Sequence, residues 1–203
     1  MALEVARARA ATAGLGQLRF VESDLRSLAF DEPFDAVVGR FVLMYVADPT
    51  DAVRSVSAHV RPGGVVAFQE FQFEDLMHSW PARPESLYGR TLYWVLETFR
   101  RAGVETNMGA RLPLVFRDAG LGLAQAYVHC PLAAGAGHRA YTLFAHILES
   151  VLPLTESFGV GSSDEIDVAT YAARLSGEMV ADDSVACCAP VVGAWATTPA
   201  HRR

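Results

Sequence analysis

Two kinds of apolar pattern alternate along the first seventy positions of this chain, consecutive runs and helically spaced stripes. Ala36-Val37-Val38-Gly39 and Val65-Val66-Ala67-Phe68 are apolar on successive positions, as expected for parallel strands buried on both faces. Between them Val53, Val56 and Val60 form one helical stripe, with Asp48 as a capping residue and Pro49 at the first helical position. Pro62-Gly63-Gly64 then stops that helix and turns the chain into the next strand, since proline cannot continue a helix and glycine permits a tight entry. Upstream, Leu3, Ala6, Ala10 and Ala13 have helical spacing, and Gly14 stands where a helix C-cap belongs. Phe20 and Val21 open a short strand that ends in an acid at Asp24, and Asp31-Glu32-Pro33 is a turn.

The pattern loosens after Phe71. Gln72 to Pro84 reads as a loop carrying Met77, His78, Ser79 and Trp80. Leu87 to Arg101 is helical, with Leu92, Val95, Leu96 and Phe99 on one face, and Leu112 to Ala119 is a second helix ended by Gly120. Leu121 to Leu132 and Val185 to Thr197 read as strands. Two helices, His138–Leu152 and Asp164–Val180, lie between them, with Pro153 breaking the chain after the first and Gly159 and Gly161 loosening the connection. Strands alternating with helices make this an α/β chain, with no internal repeat or interdomain linker.

Composition narrows the chemistry. The 203 residues are 51% hydrophobic and 20% charged, which suits one globular domain. No apolar run approaches the ~20 residues of a membrane span, and the first fifteen positions lack a secretory apolar core, so a cytoplasmic protein is expected. A net charge of −6 without a basic cluster argues against a nucleic-acid partner. All 17 basic residues are arginine. Schiff-base chemistry, the phosphate-loop lysine and the tyrosine–lysine pair of short-chain dehydrogenases are thereby excluded. Cys130, Cys187 and Cys188 follow no ligand or redox spacing and read as small apolar fillers.

The order of these segments carries a resemblance. A strand over 19–25, a strand over 34–41, a helix from Asp48-Pro49 and the Pro62-Gly63-Gly64 turn feeding a strand to Phe71 resemble the class I methyltransferases that use S-adenosylmethionine (SAM). The likeness is strongest to the small-molecule group similar to quinone-biosynthesis methyltransferases. It extends through Gly109-Ala110-Arg111-Leu112, Ala119-Gly120-Leu121 and the closing Gly193-Ala194-Trp195. It implies a Rossmann-like sheet in which the strands up to Phe71 are the third, fourth and fifth. The first two, bearing the glycine-rich loop and the ribose-binding acid, would precede Met1. The expectation is therefore one partial methyltransferase domain over residues 1–203, N-terminally truncated. Residues 1–71 would be the residual cofactor-binding half, and 72–203 a helical substrate cap with the last two strands.

The same resemblance implies site residues. Asp24 would accept from the adenine amino group and the Leu25 amide would reach a ring nitrogen, while Gly39, Arg40, Phe41 and Tyr45 would lie beside the methionine part of SAM. Glu70, facing the cleft, and His78 and Trp80, in the loop beyond it, are the substrate-side candidates; no catalytic residue is assigned. Each has an ordinary alternative: Asp24 as a turn residue, Arg40 as a surface cation, Glu70 as a rim carboxylate. Tyr88, Arg111, His129, His138 and His146 are the other polar or aromatic residues in view. His138 and His146 lack a carboxylate at ligand spacing, so no metal site is expected. The implied reaction is methyl transfer to oxygen, nitrogen or carbon of a small molecule; the segment after Gly39 lacks the Asn/Asp-Pro-Pro-Tyr run of nucleobase amino-methyltransferases. The alternative is a non-catalytic remnant or pairing module that self-associates through the exposed edge of the Phe34–Phe41 strand. A nicotinamide-dependent Rossmann oxidoreductase would need its own glycine fingerprint.

Overall fold

The computed structural model describes residues 2–25, 27–74 and 82–200. Its strands are β1 (Phe34–Arg40), β2 (Val60–Phe71), β3 (Gln125–His129), β4 (Leu132–Ala134), β5 (Val185–Cys187) and β6 (Val191–Thr197). Its helices are α1 (Ala2–Thr12), α2 (Pro49–Ser57), α3 (Leu87–Arg101), α4 (Met108–Phe116), α5 (Arg139–Ser157) and α6 (Val168–Ala181). The consecutively apolar runs pair as expected: β1 lies parallel to β2, then β6 and β3 follow antiparallel, giving the order β1-β2-β6-β3. This is a mixed sheet in an α/β fold, with helices packed on it.

One face of that sheet is covered. Val66, Phe68 and Glu70 of β2 and Val192, Ala194 and Ala196 of β6 share a face by register and are all buried. Ala52, Val53 and Val56 of α2 and Leu112, Val115 and Phe116 of α4 close over it. Asp48 caps α2 by accepting the Asp51 N–H at 2.9 Å, with Pro49 at the helix start, as the sequence requires. Gly109 is necessary where α4 meets β6, because a Cβ there would lie 2.8 Å from Val192. A second layer, α3 packed on α5 and α5 on α6, stands beside the sheet with the β4–β5 ribbon. No described helix is long and apolar enough to cross a membrane.

Several boundaries differ from the sequence reading, each for a physical reason. The strand expected over 19–25 does not form; Val21 to Asp24 are exposed in an irregular segment. Phe20 and Val21 alone bury too little to fix a strand without a ladder partner. The segment instead tucks Leu25 and Leu28 against the core, with Phe30 edge-on to Phe34 and to His59. Pro62-Gly63-Gly64 lies inside β2, where the pairing with β1 skips between Phe34 and Ala36 and Gly63 adopts φ +74°. It is a bulge rather than a turn before the strand.

Prolines explain two more differences. The strand expected over 121–132 splits at Cys130-Pro131, and that over 185–197 splits at Cys188-Ala189-Pro190. Proline cannot donate to a ladder, so each strand bends there and sends its partner half into the β4–β5 ribbon. Pro153, by contrast, does not end α5. The face carrying Tyr141, Phe144, Leu148, Val151 and Thr155 is buried against α3 and α6, and that packing outweighs one lost backbone bond. The last expected helix is divided by Asp167, at φ +43°, into a single turn (Ser163–Ile166) and α6. α4 begins at Met108, ahead of the expected Leu112, and runs into a wide turn over Arg117–Leu121 that contains Gly120 at φ +90°.

Candidate functional site

The carboxyl end of β1 runs into a tightly held turn. Phe41, the first residue past β1, adopts φ +53°, a conformation costly for a bulky residue. Three contacts fix it there. Its ring stacks on Phe71 with centroids 3.9 Å apart and planes 7° from parallel. Its N–H donates to the Gln69 carbonyl at 2.8 Å. The next three amides all donate to one carboxylate: Val42 and Leu43 to Glu70 Oε1 at 3.0 and 2.8 Å, and Met44 to Oε2 at 3.4 Å.

Glu70 is therefore not the cleft-facing carboxylate that the sequence reading expected. It is fully buried, and its acceptor oxygens hold the turn that follows β1. The parity of β2 explains the difference, since Val66, Phe68 and Glu70 all point to the covered face. Burial pushes the Glu70 carboxyl above the usual carboxylate range, and the three amides pull it partly back.

Arg40 and Phe41 remain at the surface of this turn. The Arg40 guanidinium lies 4.4 Å over the Phe41 ring, and its Nε donates to Gln69 Oε1 at 2.8 Å. Gln69 Nε2 in turn donates to the Tyr127 hydroxyl at 2.9 Å, so three strands position one cation. Gly39 is required beneath them, because a Cβ there would fall 2.2 Å from the Phe68 ring. Tyr45 closes the turn with an exposed ring, its hydroxyl raised by burial and by Glu70.

Beside this turn opens a cavity of about 800 Å³. Its floor is the end of the sheet, with Arg40, Phe41, Gln69 and Phe71, and its walls come from α3 and the first half of α5. His129, His138, Arg139 and Cys188 line it as well, and among the described residues no Asp or Glu does. The location fits the rule that ligands of open α/β sheets bind outside the carboxyl ends of the strands.

The residues singled out in the sequence separate accordingly. Arg40 and Phe41 line the cavity, with Gly39 and Tyr45 flanking them in the chain. Asp24 does not line it: it sits in an exposed turn whose carbonyl accepts the Ser27 N–H at 3.0 Å, and Leu25 is half-buried against the core. His78 and Trp80 lie outside the described residues. Tyr88 is structural, donating to the Cys187 carbonyl at 2.7 Å, and burial raises its hydroxyl. Arg111 pairs with Glu105, and His146 is exposed. Arg139 escaped the sequence reading, Cys188 was read as an apolar filler, His138 was weighed with His146 for a metal and set aside, and His129 was weighed only as an isolated histidine. The available signal was position: each sits at a break, beside Pro131, after Gly137 or before Pro190. Among the described residues no group of three or more His, Cys, Asp or Glu could hold a metal ion. The cysteines do converge, with Cys130 Sγ 3.0 Å from Cys187 Sγ; burial pushes the Cys187 thiol to about 12 and the Cys188 thiol to about 11.

Comparison with known proteins bears on the fold and the family resemblance. Residues 1–68 match the family model described as a methyltransferase domain. A Bacillus halodurans protein assigned as a methyltransferase is similar in structure at 16% identity, with a TM-score of 0.56 over 97% of this chain and 78% of that one. The YcgJ protein of Bacillus subtilis is similar at 15% identity, with a TM-score of 0.55 over 97% of this chain and 77% of that one. No curated protein matches in sequence. The structural likenesses establish a Rossmann-like methyltransferase fold, and the family resemblance is that of a SAM-dependent methyltransferase.

The described residues fit SAM at one end. Arg40 suits a carboxylate, and the stacked Phe41–Phe71 pair gives the same end of the cavity an apolar aromatic edge. At the adenine end, Asp24 is exposed on an irregular segment.

Proposed function

We propose, from the resemblance to SAM-dependent methyltransferases, that this chain moves a methyl group from SAM to an oxygen, nitrogen or carbon of a small molecule held in the cavity. The observation that carries this reading is the Phe41 turn, held in a strained conformation by Glu70 at the mouth of a large apolar cavity. Strain maintained at a ligand edge is a mark of function rather than of folding. SAM, when bound, supplies an electrophilic methyl group. The chain's part is to bind, orient and exclude water. Arg40 would hold the amino-acid carboxylate, with Gly39, Phe41 and Tyr45 around the same end, and Asp24 and the Leu25 amide would meet the adenine. Glu70 acts through the turn as a positioning residue. His78 and Trp80 stay proposed for the acceptor side, and the acceptor is proposed to belong with those of the quinone-biosynthesis-like group.

Because the proposed adenine-side residues stand on an exposed, irregular segment, SAM is expected to bind this 203-residue chain with a dissociation constant above the low micromolar range. Hydrogen bonds to charged groups are worth ~1.5–3 kcal/mol each, so each one absent weakens binding by about tenfold or more. Calorimetric titration with SAM, followed by assay for S-adenosylhomocysteine, tests both statements. Heat that vanishes in Arg40→Ala supports the assignment; no heat and no product with any acceptor would overturn it. One observation favours a second reading, a pairing module without turnover: among the described residues nothing covers the sheet's other face, with Val38 77% exposed.

A further inference from the structure

The cavity carries a charge bias, and from it we infer the class of its occupant: an apolar, ring-bearing molecule with an anionic group such as a carboxylate. The inference rests on the methyl-transfer reading for the occupant's role as acceptor; its binding chemistry follows from the cavity walls. Those walls are mainly apolar, with Phe71, Phe73, Leu92, Leu96 and Phe144 among them. Among the described residues the charged side chains in them are Arg40 and Arg139, with no carboxylate, in a chain whose net charge is −6. That is the reverse of what the composition would supply by chance.

The uncharged polar groups point the same way. His138 Nδ1 accepts the Ala140 N–H at 3.2 Å, which leaves Nε2 as the atom that carries a proton. The Thr91 hydroxyl is already engaged by the Leu87 carbonyl and the Tyr171 hydroxyl. Arg40 is tied to Gln69 and is assigned above to the cofactor. Among the described residues Arg139 has no ion-pair partner. Arg139 is exposed at the edge of the cavity, so a neutral apolar ligand would gain nothing from its charge and a cation would be repelled. A carboxylate satisfies it with two parallel hydrogen bonds. A volume of about 800 Å³ admits a molecule of two or three rings.

Fluorescence titration of the whole chain, without SAM, tests this with two probes of one skeleton, anilinonaphthalene sulfonate and phenylnaphthylamine, which lacks the sulfonate. The sulfonate should fill one saturable site and bind at least about tenfold more tightly than the neutral probe, and naphthoate should displace it where naphthamide does not. Arg139→Gln should remove most of that advantage and leave the neutral probe's affinity unchanged, with near-ultraviolet circular dichroism reporting an intact fold. Equal affinity for the two probes, or an advantage that survives both Arg139→Gln and His138→Gln, would overturn the inference. The two readings fail separately. Selectivity without methyl transfer to any acceptor supports an acid-binding cavity and tells against transfer; transfer to neutral acceptors without anion preference overturns the acid and leaves transfer standing.

Discussion

The two faces of the four-stranded sheet share their backbone and differ in nearly everything else. On one, Val66, Phe68, Glu70, Val192, Ala194 and Ala196 are sealed beneath α2 and α4. On the other, Phe34, Val38, Val65 and Tyr127 are exposed, Val38 by 77%. The sequence of β1 is apolar on consecutive positions, the pattern of a strand covered on both sides, yet among the described residues one side is met. The covered face is where the protein stores its stability and shapes the Phe41 turn. The bare face is a demand for cover that the described residues leave open.

The largest effect should come from the covered face. Glu70→Ala removes the acceptor for three amides in a buried turn, and each orphaned group costs ~1–3 kcal/mol. Thermal unfolding should shift down by on the order of 10 °C or more for a chain of this size. A shift under a few degrees would mean that water replaces the carboxylate and that the turn is held by the Phe41–Phe71 stack. Glu70→Gln sharpens the point through pH. A carboxyl raised by burial binds its proton more tightly folded than unfolded, so its contribution is present below the unfolded value and lost as pH rises through the folded one. Wild type should therefore lose stability relative to Glu70→Gln across and just above the carboxylate range, measured as the difference in midpoint between acid and neutral buffers. No change in that difference would remove burial as the dominant influence on Glu70.

Next in size is a matched pair, one residue from each face. Phe68→Ala deletes a buried ring that abuts Phe116, with centroids 6.2 Å apart, and should cost ~3–5 kcal/mol. Val38→Ala, one strand away on the bare face, should change stability by less than ~0.5 kcal/mol. Urea unfolding of both variants measures the contrast. Comparable losses would show that the bare face is covered in solution.

Legibility in the sequence follows the same division. Elements whose signal is local were read correctly: the Asp48-Pro49 cap, the α3 face through Leu92, Val95, Leu96 and Phe99, and the Gly14 stop, where the Gly14 and Leu15 amides close back on Ala11 and Ala10. Elements whose outcome depends on a partner were not. The strand over 19–25 had no ladder to join, α5 crossed Pro153 because its face was already packed, and prolines 131 and 190 mattered by sending two strands into a separate ribbon. The site divides likewise. Arg40 and Phe41 follow an unmistakable strand, whereas His138 and Arg139 reach the cavity through the packing of α5 on α3, which no local pattern encodes. Glu70 was found but misread, because a one-residue change of parity decides whether a strand-end acid faces ligand or core.

The smallest effect on stability should accompany the clearest effect on assembly. Among the described residues β1 ends the sheet, with β2 on one side and no strand on the other. Its outer N–H and C=O groups, beside an exposed Val38, are a template for pairing with another chain. Apolar area left in water costs ~25 cal/mol per Å², so concentration should drive association. Light scattering is expected to show mass rising with protein concentration into the high micromolar range. Val38→Lys should suppress that rise while moving the unfolding midpoint little, because a charged edge residue blocks strand addition and desolvates poorly in an interface. Internal closure offers the competing outcome: the 19–22 segment, irregular as described, could add to β1 and satisfy it within one chain. A heat-cooperative monomer at every concentration, unaffected by Val38→Lys, would establish that closure and refute the open edge.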